Sequence, residues 1–104
     1  MYINLKEDNL MDFLDNSDKT LVMFGASWCD NCKKLLPKFY QQAFEQNEVP
    51  FIFVDCDKFP NSRSLGLIER IPKIVGYKGY KIVSQKEGSA QENVNTVYNQ
   101  LINS

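Results

Sequence analysis

The sequence predicts an α/β fold with a mixed central sheet, in the element order βαβαβαββα within a single domain spanning residues 1–104. Three observations carry that prediction. Two continuous apolar runs, Thr20–Phe24 and Phe51–Val54, are too short for helices and apolar on both faces, as buried central strands are. Segments with apolar residues at helical spacing precede, separate and follow these runs, so the strands pair in parallel through right-handed crossovers. A Lys78-Gly79 turn signal between Lys73–Tyr77 and Tyr80–Val83 reads as a hairpin, which adds antiparallel strands.

Each element has its own signal. Tyr2–Leu5 forms a short first strand, and Asn4 with Glu7 three residues later resembles a capping pair. Leu10, Phe13 and Leu14 then recur at helical spacing until Asn16-Ser17-Asp18 ends the first helix. Gly25 closes the second strand. After it, Leu35, Leu36, Phe39, Tyr40, Ala43 and Phe44 trace one face of a long helix that contains Pro37. An interior proline removes one backbone hydrogen bond, and because the apolar period continues past it, a kink is expected rather than a stop. Pro50 introduces the third strand and Asp55-Cys56-Asp57 closes it. Asn61–Leu67 has room for only a short helix. Gly88-Ser89 breaks the chain before a last helix carrying Val94, Val97, Tyr98, Leu101 and Ile102.

Composition narrows the chemistry. Hydrophobic residues make up 43% and charged residues 24%, which suits a chain that builds its own core. There is no histidine, so a Ser-His-Asp triad, a Cys-His protease pair and a His-ligated zinc or haem are excluded. Twelve basic residues against thirteen acidic ones, with no basic cluster longer than Lys33-Lys34, leave no electrostatic footprint for nucleic acid. The N-terminal segment lacks the pattern of a signal peptide and no apolar run reaches membrane-spanning length, so a cytoplasmic protein without a membrane partner is expected. Three cysteines, an odd number, argue against a structural disulfide framework.

Cys29 and Cys32 stand where a buried strand gives way to a helix. Two intervening residues at a helix start let the sulfurs approach bonding distance, and the free N–H groups there favour a thiolate, most of all at Cys29. A C-x-x-C at such a junction is the sequence form of a thiol–disulfide redox site. It is also half of a zinc or iron–sulfur site, but Cys56 is the only further cysteine and no histidine exists, so no metal and no cofactor are expected. Cys56 itself reads as a small buried hydrophobe at the end of the third strand.

The stretch Phe24-Gly25-Ala26-Ser27-Trp28-Cys29-Asp30-Asn31-Cys32-Lys33 resembles the active-site segment of thioredoxins. Pro37, the Asp55-Cys56-Asp57 turn, Ile71-Pro72 and Gly88 extend the resemblance over the whole chain. It implies a thioredoxin fold, a mixed central sheet flanked by helices, with the cysteine pair facing a cis-proline loop at Pro72. It also implies roles: Cys29 the attacking thiolate, Cys32 the resolving thiol, Trp28 a packing and substrate-binding residue, and Ile71 with Pro72 the backbone that pairs with an extended substrate. Asp30 and Asn31, which replace the usual Gly-Pro, modulate the pair.

Two further departures bear on proton transfer. Met23 stands where thioredoxins place a buried aspartate, and Phe53 where a lysine often accompanies it, so the proton acceptor falls to Asp30 or to water. Gly25 replaces a second aromatic. The expected activity is that of a protein-disulfide reductase working as a monomer on disulfide-containing proteins. No Gly-rich dinucleotide fingerprint is present, so electrons would come from a separate thioredoxin-reductase-like donor or from small thiols. The alternative is a redox-independent interaction module that binds a partner through the same face, and reduction of insulin disulfides separates the two.

Overall fold

The computed structural model describes residues 1–104 and places β2 (Lys19–Gly25) at the centre of a five-stranded sheet of order β1-β3-β2-β4-β5. From Thr20 onward every residue of β2 is buried, as an apolar run covered on both faces requires. β1 (Tyr2–Asn4) and β2 each pair in parallel with β3 (Phe51–Asp55). β4 (Lys73–Lys78) runs antiparallel to β2, and β5 (Lys81–Glu87) antiparallel to β4. The predicted order and mixed pairing are therefore those of the molecule.

The two-residue period of the strands divides the core. Leu21, Met23, Phe51 and Ile74 face α2 (Asp30–Phe44) and α4 (Glu92–Ile102), where they pack with Leu35, Phe39, Val94, Val97 and Leu101. Val22, Phe24, Ile52, Val54, Val75 and Tyr77 face the opposite way, toward α1 (Leu10–Asp15) and α3 (Pro60–Ser64). α4 lies close against β4 at Gly76, where an added Cβ would stand 3.2 Å from the Leu101 Cβ.

Helix α2 passes through Pro37 without a break. Only the bond that residue 37 would donate to the Lys33 carbonyl is missing, and Leu35 and Phe39, both fully buried, hold the helix on either side of the gap.

Local expectations at three places change. The Asn4–Glu7 capping pair does not form: Asn4 closes β1 opposite Phe53, Leu5 N–H still donates to the Phe53 carbonyl (3.0 Å), and α1 starts only at Leu10. The Leu10 amide is instead satisfied across the fold by Ser62 Oγ at 3.0 Å. Asp8 returns the favour, accepting from the amides of Asn61 (3.0 Å) and Ser62 (2.6 Å) at the start of α3. Burial pushes the Asp8 carboxyl up, but hydrogen bonds from the Ser62 hydroxyl and those two amides outweigh it and hold it below its ordinary value. The short helix runs over Pro60–Ser64, with proline in its first turn where the missing N–H costs nothing, rather than reaching Leu67. Tyr80 belongs to the hairpin turn, not the strand. Gly79 takes φ +59°, Lys78 pairs with Lys81, and β5 continues to Glu87.

Glu87, at the far end of β5, braces the loop that leads into β4. Its Oε2 accepts from the amides of Glu69 (3.0 Å) and Arg70 (3.4 Å) and lies 3.9 Å from Lys73 Nζ. Lys73 is buried and donates to the Leu67 carbonyl at 2.9 Å. The Glu69 amide, opposed by desolvation and helped by the Arg70 amide and the two cations, sets the Glu87 carboxyl below its ordinary value of 4.5. A carboxylate lowered in this way contributes stability above pH 4.5 that is lost as the pH falls through its folded value. Glu87→Gln is expected to cost about 1 kcal/mol at neutral pH after allowance for solvent screening. Urea midpoints of the two proteins, measured against pH, should converge in acid.

Candidate active site

Gly25, at the end of β2, sets the floor of the site. In register it pairs with Asp55 of β3 on one side. On the other, Phe24 pairs with Lys73, so one further step along the antiparallel ladder sets Pro72 beside Gly25. The Ile71-Pro72 peptide is cis, as expected. Above the floor lies Cys32: a Cβ at Gly25 would stand 3.1 Å from its sulfur and 3.1 Å from Phe53 Cε1. A glycine where the resemblance suggests an aromatic is thus the residue that lets the sulfur sit directly on the sheet.

Cys29 is the N-cap of α2. The chain turns from β2 through a Cys29 N–H to Ala26 carbonyl bond (3.2 Å), and the Cys29 carbonyl accepts the first helical bond from Lys33 at 3.1 Å. Its side chain does the work of a serine at this position, with Sγ accepting the Cys32 N–H at 3.2 Å. A sulfur is a weak acceptor, and the Cys32 amide is the one backbone donor that reaches it at the start of α2. Cys32, 2% exposed, is held well above the ordinary thiol value by burial first and then by donating its own proton toward Cys29. A bond from the Ala26 backbone pulls weakly the other way. The two cysteines are therefore unequal. Cys32 keeps its proton and presents it to Cys29.

Trp28 is 65% exposed, and its indole Nε1 donates to Asp57 Oδ2 in the turn after β3. With Ile71, these two residues line a cleft of about 300 Å³ that also contains Cys56 and Arg63. The structure thus brings Trp28 and Ile71 to one groove, while Cys32 opens into a second cavity on the other side, with Lys33, Phe53 and Asp55. Asp30 and Asn31 are exposed on the first turn of α2 and line neither. Cys56 is 8% exposed, and burial, only partly offset by Arg63, pushes its thiol up to about 11, as befits a packed rather than a reactive sulfur. Asp57, which fixes Trp28, was not singled out by sequence, because no spacing rule connects a turn aspartate to a tryptophan 29 positions earlier.

The family model for thioredoxin matches residues 1–100. The chain belongs to the thioredoxin family. It is 32% identical over 92 residues to a thioredoxin of Geodia cydonium, covering 88% of this chain and 87% of that one. It is also 33% identical over 92 residues to a protein disulfide-isomerase of Aspergillus oryzae, covering 86% of this chain but only 18% of the isomerase. The thioredoxin of Plasmodium falciparum shares the fold at a TM-score of 0.87 with 19% identity, covering 94% of this chain and 97% of that one. Cys29 and Cys32 fit the C-x-x-C site of this family of thiol–disulfide oxidoreductases.

Trp28 is the only tryptophan, so its fluorescence reports the groove of this thioredoxin-family chain directly. Asp57→Ala is expected to free the indole, lowering its anisotropy and weakening substrate binding several-fold, the scale of one charge-assisted hydrogen bond. Asp57→Asn, which keeps an acceptor oxygen, should retain most of the wild-type anisotropy.

Proposed function

We propose that this thiol–disulfide oxidoreductase works as a reductant of protein disulfides, with Cys29 as the attacking thiolate and Cys32 as the resolving thiol. The observation that carries the reading is the inequality of the pair: both thiols are buried, but Cys29 Sγ caps α2 and accepts the Cys32 amide, whereas burial and the contact with Cys29 push the Cys32 thiol up to about 12. Cys29 attacks one sulfur of a substrate disulfide, and the other sulfur departs as a thiolate. The enzyme is then joined to substrate through a mixed disulfide. Cys32 loses its proton and attacks Cys29 Sγ, the second substrate thiolate leaves, and the enzyme holds the Cys29–Cys32 disulfide. Two electrons have passed to the substrate.

Trp28 and Ile71, which line one cleft, with the backbone at the buried Pro72, would receive an extended substrate segment, with Asp57 fixing the indole and Glu87 bracing the loop before Pro72. Asp30 and Asn31 tune the pair. Asp30 puts a carboxylate one residue from Cys29, and a reduced form with little added stabilisation makes a less oxidising couple. We further infer a separate reductase or a small thiol as electron donor, and a cytoplasmic setting, which an odd number of cysteines suits. Reduction of insulin disulfides with dithiothreitol tests the function: wild-type protein should accelerate precipitation of the insulin B chain. A rate equal to dithiothreitol alone would instead favour a module that binds without redox chemistry.

A further inference from the structure

We propose that Asp55 accepts the Cys32 proton in the resolving step, through water in the cavity that the two side chains share. This rests on the dithiol reading above. Cys32 attacks only as a thiolate, yet the sheet beneath it offers no base: Leu21 and Met23 face it from β2, and Phe51 and Phe53 from β3. Asp55 is the next residue of β3 on that face. It pairs with Gly25, and the point where a Gly25 Cβ would stand is 3.1 Å from Cys32 Sγ, so partners in register direct the Asp55 side chain toward the same side as the sulfur. The absent side chain at Gly25 leaves the way between them open.

Both residues line one cavity of about 520 Å³, room for a chain of waters at roughly 30 Å³ each. Asp55 is half-buried. Its Oδ1 accepts the Asp57 amide at 3.0 Å, and its Oδ2 takes no donor from the protein. The other charged groups facing the cavity are Lys6 from the β1–α1 loop, Lys33 from α2 and Lys58 from the β3–α3 loop. An ammonium group has no lone pair with which to take a proton, and the Asn4 amide and Ser27 hydroxyl that also line the cavity are not bases at neutral pH, so Asp55 is its one carboxylate and its one base. Asp30 lies outside it. In the step itself, the Cys32 S–H proton passes through water to Asp55, the Cys32–Cys29 S–S bond forms, the Cys29–substrate S–S bond breaks, and the electron pair of that bond leaves on the substrate thiolate. Asp55 then releases its proton to solvent through the same opening.

Stopped-flow reaction with the aromatic disulfide dithionitrobenzoate separates the two steps. A first release of the coloured thiolate reports attack by Cys29, and a second reports resolution by Cys32. Asp55→Asn keeps the oxygen that accepts the Asp57 amide but cannot take a proton. It is expected to leave the first phase unchanged and slow the second about 10- to 100-fold. Asp55→Glu, which keeps a carboxylate, should restore most of the second-phase rate. A second phase unchanged in Asp55→Asn, or slowed equally in Asp55→Glu, would overturn the proposal. Absence of the first phase from the wild-type protein would overturn the dithiol reading itself.

Discussion

Cys29→Ser is expected to bring disulfide reduction down to the rate of the reductant alone, a loss on the order of 10³-fold or more, as removal of a nucleophile generally produces. A serine hydroxyl at the α2 N-cap would still accept the Cys32 amide, so the fold should survive while the reaction does not. Cys32→Ser should behave differently. Attack by Cys29 persists, but nothing resolves the mixed disulfide, and the enzyme accumulates covalently joined to substrate. Non-reducing electrophoresis after incubation with insulin distinguishes the two variants. Trapping by Cys29→Ser and none by Cys32→Ser would mean that the roles are reversed.

The second large effect concerns Met23. It is fully buried in β2, with Phe53 and Ile74 beside it in the ladder and Leu21 and Gly25 two residues away on the same face. None of these can pair with a charge. Met23→Asp removes packed side-chain volume and introduces an unpaired carboxylate, which together should cost about 3–5 kcal/mol at neutral pH. With a urea slope of roughly 1–3 kcal/mol per molar, the midpoint should fall by more than about 1 M. Burial raises the folded value of the introduced carboxyl, so the penalty is fully present above that value and disappears below its unfolded one. The gap between variant and wild type should therefore narrow in acid. A constant gap would mean that packing alone is responsible.

The fold was legible because its strongest signals are period and length. Thr20–Phe24 and Phe51–Val54 read as buried strands on apolar content alone, and they are neighbours at the centre of the sheet. Long helices α2 and α4 announced themselves through their buried stripes. Capping was less legible, because the partner that satisfies a helix terminus can come from anywhere. Asn4 and Glu7 have the right spacing, but Ser62, 52 residues from Leu10, supplies the oxygen. At the site, Cys29 and Cys32 could be found because the chemistry fixes both residue type and spacing. Asp55 and Asp57 could not, since their places in the cavity of Cys32 and beside the indole depend on how β3 lies in register with β2. Asp30 illustrates the converse. It stands next to Cys29 in sequence, yet its side chain lies on the exposed first turn of α2, away from the cavity that reaches Cys32.

The reducing direction of the Cys29–Cys32 couple is the central claim, and its equilibrium with glutathione tests it most directly. Protein equilibrated across defined ratios of reduced to oxidised glutathione, quenched in acid and scored for free thiols, gives the potential. Asp30 places a negative charge beside Cys29, whose sulfur accepts a single backbone donor, so the reduced form gains little stabilisation. The expected value is therefore near or below about −270 mV, more reducing than the glutathione pool by biochemical extraction, where each 30 mV corresponds to about 1.4 kcal/mol. A value between about −180 and −120 mV, the range of disulfide isomerases and oxidants, would contradict the account.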